Sequence, residues 1–81
     1  MDRVEMTFDR ITVDPARMNG QPCIRGLRLT VRRVLEALGT YESRDELRAD
    51  YPELEEEDIR QALAYAAAIV GGETADLPTA S

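Results

Sequence analysis

Histidine, lysine and tryptophan are missing from this 81-residue sequence, and cysteine occurs only once, at Cys23. Without histidine and with a single thiol, the usual zinc ligand sets cannot form, and the commonest general base is missing. One cysteine also excludes an internal disulfide and suits a reducing compartment, where Cys23 is expected to be a small buried hydrophobe rather than a reactive thiol. We therefore expect no metal, no cofactor, no catalytic residue and no enzymatic activity.

Long apolar runs are missing too. The longest, from Ala62 to Val70, is far too short to span a bilayer. The opening segment MDRVEMTFDR mixes charges of both signs and lacks the apolar region of a secretory signal. We expect a cytoplasmic protein without membrane contact. Because so short a chain buries only a little over half of the surface that its unfolded form exposes, a second chain is expected to supply stability.

Positive charge is scarce overall, with 10 basic residues, all of them arginine, against 16 acidic ones. Its distribution is uneven, since residues 1–34 hold seven arginines and four acids, whereas residues 35–81 hold three arginines and twelve acids. A net charge of −6 favours basic partners. The asymmetry predicts that the two halves of the chain face different partners.

Alternation of apolar and polar residues predicts a strand from Asp9 to Asp14 and a second strand from Gly26 to Thr30, with turn residues from Pro15 to Pro22 between them. A two-stranded ribbon is unstable alone in water, so its apolar face must lie on helices or pair with another chain.

Three helices follow the ribbon. Thr30 is a good N-cap for the first, which Gly39 is expected to end. Ser43 and Glu46 form a capping box for a short second helix, which Pro52 ends. These elements predict a mainly α fold, a short N-terminal β-ribbon followed by a three-helix, helix-turn-helix bundle. We expect an N-terminal arm at 1–8, one domain at 9–71 and a flexible tail at 72–81.

The third helix is predicted from Glu55 to the glycine pair at Gly71. Tyr65 and Ile69 lie outside its main apolar stripe, so the helix is apolar nearly all round. Tyr65, Ile69 and Val70 are therefore candidates for a homodimer or partner interface, and ordinary intrachain core is the alternative. The predicted inward stripe consists of Ile59, Ala62, Leu63, Ala66, Ala67 and Val70.

The strongest chemical signal is a basic stripe without a single acid between its first and last members. The paired N–H donors of an arginine guanidinium group match phosphate oxygens and the major-groove edge of guanine. The stripe is therefore a candidate DNA-binding surface. The alternative is a solvated face whose arginines pair with acids of the C-terminal half. The stripe consists of Arg17, Arg25, Arg28, Arg32 and Arg33.

Four consecutive acids, Glu55, Glu56, Glu57 and Asp58, open the third helix. Phosphates would repel them, so this helix is not expected to enter a DNA groove. We interpret them as an acidic surface for a basic partner; the alternative is a helix start matched to the helix dipole.

Two blocks, NGQPCIRGLRLTV and LGTYESRDELRADYPELEEEDIRQALAYAA, resemble the signature of the domain of unknown function 433 family, over about Arg10 to Ala67. Three positions depart from the family pattern: Asn19 replaces a glycine, Leu27 a threonine, and Glu55 a capping threonine. Asn19 still tolerates a positive φ.

The resemblance implies a homeodomain-like or winged-helix-like fold and a VapB-type antitoxin, often paired with a PIN-like ribonuclease toxin. The expected function is thus a dimeric antitoxin that neutralises a basic toxin and binds operator DNA. A free-standing dimeric transcriptional regulator is the alternative, and it needs the arginines but not the acidic half.

Overall fold

In the computed structural model, which describes residues 8–72 and Leu77, a small hairpin and three helices share one core. The described part is mainly helical with a short two-stranded antiparallel sheet, as predicted. The elements are β1 (Ile11–Thr12), β2 (Cys23–Ile24), α1 (Val31–Thr40), α2 (Arg44–Asp50) and α3 (Glu56–Val70).

The predicted N-terminal arm and C-terminal tail lie largely outside the described residues, which omit 1–7 of the arm and 73–76 and 78–81 of the tail. Phe8, which the sequence assigns to the arm, is buried in the core. Leu77, from the tail, is partly buried against the same core. The packed unit therefore includes one residue of each predicted terminal segment.

The second strand lies earlier than predicted, at Cys23–Ile24 instead of Gly26 to Thr30. Arg25 and Gly26 both adopt positive φ, 46° and 72°, which turns the chain back on itself. The Ile24 N–H then donates to the Leu29 carbonyl at 2.9 Å. Gly26 therefore lies in a tight turn, and only Leu29 and Thr30 return beside β2.

The helix starts follow their predicted caps. The Thr30 hydroxyl accepts a hydrogen bond from the Arg33 N–H at 3.0 Å, and the Ser43 hydroxyl accepts one from the Glu46 N–H at 3.2 Å. Helix α1 continues one residue beyond Gly39. Asn19 adopts a positive φ of 57°, a conformation that this residue was expected to tolerate.

Helix α1 packs against both α2 and α3, and β1 lies on α3. Ile24, from the hairpin, and Ile59, from α3, are both fully buried, so the hairpin supplies one wall of the core. The largest fully buried side chains are Ile11, Ile24, Val34, Leu47, Leu54, Asp58 and Ile59.

The inward face of α3 differs from the predicted stripe. Ile59 and Ala62 are fully buried as expected, but Leu63 is 46% exposed and Val70 is 88% exposed. Ala67 is exposed as well. The hairpin covers the opposite side of the helix, so polar residues of that side, Asp58 and Gln61, are buried in their place.

Candidate functional site

A charge cluster joins the hairpin to the start of α3. The Asp58 side chain is fully buried and accepts hydrogen bonds from the Arg25 Nε at 3.0 Å and the Arg10 Nη1 at 3.2 Å. It also accepts the Glu55 N–H at 2.9 Å. Burial raises the pKa of Asp58, but the hydrogen bonds from Arg25, Glu55 and Arg10 outweigh it, so the pKa lies below its ordinary value.

Arg25, a member of the predicted DNA-binding stripe, is bound into this cluster. Besides Asp58, its guanidinium donates to the Glu53 carbonyl at 2.7 Å. These bonds hold a residue whose left-handed backbone is uncommon for a side chain of this size. For Arg25, pairing with acids of the C-terminal half is the correct interpretation, and the sequence could not identify its partner 33 residues away.

The other four arginines of the stripe remain exposed. Arg17 contacts Asp14 at 3.5 Å, and both Arg32 and Arg33 reach Glu36, at 3.4 and 3.7 Å. These are surface pairs of little energetic weight. Arg28 forms no ion pair with the described residues. Arg28, Arg32 and Arg33 lie around the start of α1, and we call them the basic end.

The four acids at the start of α3 are neutralised within the chain. Asp58 is buried and does not belong to any exposed acidic surface. Glu55 pairs with Arg10, and Glu56 pairs with Arg44 at 2.8 Å and Arg48 at 3.8 Å. Glu57 pairs with Arg60. These acids therefore offer a basic partner far less free charge than the sequence suggests.

Apart from Asp9, which accepts a hydrogen bond from Gln61, the exposed acids without an arginine contact in the described part of the chain lie on and beside α2. Sequence reasoning missed this group because its members are interrupted by arginine, leucine and proline, whereas the run at 55–58 is continuous. A tally of acids over 42–53 would have found it. We call it the acidic end; it consists of Glu42, Asp45, Glu46, Asp50 and Glu53.

The interface candidates on α3 do not share one surface. The Tyr65 ring packs edge-to-face on Phe8, with centroids 5.4 Å apart, and therefore belongs to the intrachain core. Ile69 is 47% exposed, but it lies about 100° around the helix from Val70. The exposed apolar face consists of Leu63, Ala67 and Val70, and we call it the outer face of α3.

Cys23 is buried, and burial raises the pKa of its thiol, as expected for a small buried hydrophobe. Among residues 8–72 and Leu77, no group of three or more cysteine, aspartate or glutamate side chains could hold a metal ion. No helix in this part of the chain is long and apolar enough to cross a membrane.

The ion pair between Glu57 and Arg60 predicts that the free energy of unfolding decreases in acid. Hydrogen bonds from Arg60 and Gln61 lower the pKa of Glu57 from 4.5 to about 2. Because the folded pKa is depressed, this stabilisation is fully present above pH 4.5 and is lost as the pH falls toward about 2. We expect urea denaturation of Glu57→Gln to give a flatter pH dependence in this window. Glu42→Gln is the control and should keep the wild-type slope; equal slopes for Glu57→Gln and wild type would contradict the assignment.

A family model described as "Protein of unknown function (DUF433)" matches residues 11–66. The match includes β1, β2, α1, α2 and most of α3. No curated protein and no solved structure matches the sequence.

Proposed function

Because the chain belongs to the DUF433 family, as its motifs predicted, we propose that it is a type II antitoxin that binds a basic toxin, binds operator DNA and acts as two copies. The proposal takes the helix-turn-helix character of the three helices from the family resemblance. It revises the surfaces expected from sequence, since Arg25 and Asp58 serve the fold.

The observation that carries the proposal is the placement of charge along α1. Arg32 and Arg33 occupy its first turn, where no acid is present, and its last turn contains no basic residue. Glu42 follows its C-terminus. A helix is stabilised by the opposite arrangement, by about 0.3–1 kcal/mol for each charge. Charges that oppose local stability are typical of surfaces retained for binding.

The basic end suits DNA. Arg28, Arg32 and Arg33 are exposed, and the positive dipole at a helix start favours phosphate oxygens. Three guanidinium groups around one helix start can contact adjacent phosphates, so DNA affinity should fall steeply with salt.

The acidic end suits a basic protein. Helix α1 has 10 residues and is therefore roughly 15 Å long, so Glu42, just beyond its C-terminus, lies more than a Debye length of about 8 Å from its first turn at physiological ionic strength. Glu42 therefore weakens phosphate binding at the first turn only slightly. A basic toxin can bind the acidic end while the basic end remains available to DNA.

The test separates the two ends by mutation. In the first variant, Arg28, Arg32 and Arg33 become alanine, which should weaken binding to a duplex from the protein's own promoter. The slope of log affinity against log salt should fall by roughly one for each lost phosphate contact. Arg60→Ala is the matched control, because Arg60 is an exposed arginine far along the sequence from the basic end. An unchanged salt slope in the triple variant would contradict the DNA part of the proposal.

In the second variant, Glu42 and Glu53 become lysine; both lie outside the helices, so α2 keeps its capping residue. We expect binding to the basic protein encoded by the neighbouring gene to weaken at least tenfold, with promoter binding unchanged or stronger. Reversal of Glu56 serves as the comparison, because its charge is already paired. If reversal of Glu56 alone impairs toxin binding, the acidic end is not the toxin surface.

A free-standing dimeric regulator is the second candidate. Arg28 favours it, because this arginine is exposed and pairs with no acid of the described residues, so its charge is available to DNA. In that case the arginine variant loses promoter binding, whereas the acid reversal changes no protein interaction.

A further inference from the structure

One face of α3 is apolar and uncovered among the described residues. Leu63, Ala67 and Val70 follow one another at helical spacing, and they continue the line of Glu56 and Arg60. Leu63 is 46% exposed and Val70 is 88% exposed. The apolar residues occupy the C-terminal half of this line, and the charged residues occupy the N-terminal half.

The charges beside this face are nearly balanced and already paired. Glu56 contacts Arg44 and Arg48, whereas Glu57 contacts Arg60. Together with Ile59 and Leu63, four of these charged residues line an open groove of about 270 Å³ at the foot of the outer face. The charged residues that line this groove therefore form neither a free acidic patch nor a free basic patch.

The balance of charge beside the outer face indicates which partner covers it. A basic toxin is attracted by a surplus of acids, which lies at the acidic end, and DNA by a surplus of arginines, which lies at the basic end, where Glu36 contacts two of the three arginines. A second copy brings an equally balanced rim, so two chains of net charge −6 can meet here without placing free acids against each other. We infer that the outer face of α3 packs against the same face of a second copy.

The two helices run antiparallel about a two-fold axis. A parallel pair would place Glu56 against Glu56 and Arg60 against Arg60, whereas an antiparallel pair places Leu63 of each copy near Val70 of the other. Ala67 lies between them and lets the helix backbones approach closely. A face one helix wide buries less than the about 800 Å² per partner of a standard interface. The dimer is therefore expected to exchange with monomer at micromolar concentration.

This inference names the dimer surface of the proposed function. It rests on the proposed function only for the requirement that the protein acts as two copies. Sedimentation velocity of the full chain over about 1–100 µM is the test, a range suited to a small interface. Wild type should shift from monomer to dimer. Leu63→Asp and Val70→Asp should each raise the dissociation constant at least tenfold, with circular dichroism confirming that both variants are folded.

Ile69→Asp is the matched control, since Ile69 is 47% exposed on the same helix but lies on another face. This variant should dimerise like wild type. A wild type that is monomeric throughout, or an Ile69→Asp variant that dissociates while Leu63→Asp does not, would overturn the inference. So would a Leu63→Asp variant that keeps its dimer mass but loses the neighbouring gene product, because the face would then belong to that partner.

The two proposals fail separately. If wild type dimerises through the outer face but binds neither promoter DNA nor the neighbouring gene product, the antitoxin function fails and the dimer surface stands. If both ligands bind a chain that stays monomeric, the dimer surface fails instead.

Discussion

Replacing Asp58 by asparagine is expected to lower the free energy of unfolding by about 3 kcal/mol, a typical cost of breaking a buried ion pair. The carboxylate is fully buried and receives both guanidinium groups and the Glu55 N–H. Asparagine keeps the shape of the aspartate side chain but loses its charge. Its amide also places an N–H donor among the groups that donate to Asp58. Because the carboxylate is fully buried, an unsatisfied donor left there bears its full desolvation cost.

Chemical denaturation measures this loss, and Glu56→Gln is the control. Glu56 also pairs with two arginines, but its side chain is 60% exposed, so the substitution should cost less than about 1 kcal/mol. Equal losses for the two variants would mean that the buried cluster contributes no more than a surface pair. Arg25→Lys should recover little stability in comparison with Arg25→Ala, because an ammonium group cannot reproduce the two-pronged contact with Asp58.

Replacing Ile59 by alanine is expected to lower the free energy of unfolding by about 3 kcal/mol, within the range for large-to-small core substitutions. Ile59 is fully buried where α3 meets the hairpin and α1. Alanine removes three carbon atoms from a site that the surrounding elements cannot fully collapse onto. In a domain this small, such a loss is a large share of the total stability.

The control is Leu63→Ala, one turn further along the same helix. Leu63 is 46% exposed, so the loss of free energy should be below about 1 kcal/mol when the protein is dilute enough to be monomeric. Denaturation curves of both variants under the same conditions decide which face of α3 is the core. A larger loss for Leu63→Ala would reverse the assignment of the two faces.

The charge assignments differ most from sequence expectation at the start of α3. Four consecutive carboxylates look like a free acidic surface, yet Asp58 is an internal anchor and its three neighbours are paired. Pairing of this kind depends on arginines that are distant in sequence, such as Arg10 and Arg25. A charge run read alone therefore overestimates the charge that a partner can reach.

The sequence by itself determined the local features of this protein: the caps at Thr30 and Ser43, the three helices and the family. Caps, helical spacing and motifs depend on residues a few positions apart, so they can be predicted from the sequence.

Only the tertiary structure decided the inward side of α3 and the partner of each charge. Because α3 is apolar nearly all round, spacing could not distinguish Leu63, which is exposed, from Tyr65, which packs on Phe8. The hairpin decided this, because it covers the side of α3 that carries Asp58 and Gln61 and binds their polar groups across about 50 residues of chain. Long-range packing, rather than local preference, separates the core and the ion pairs from the surfaces left for partners.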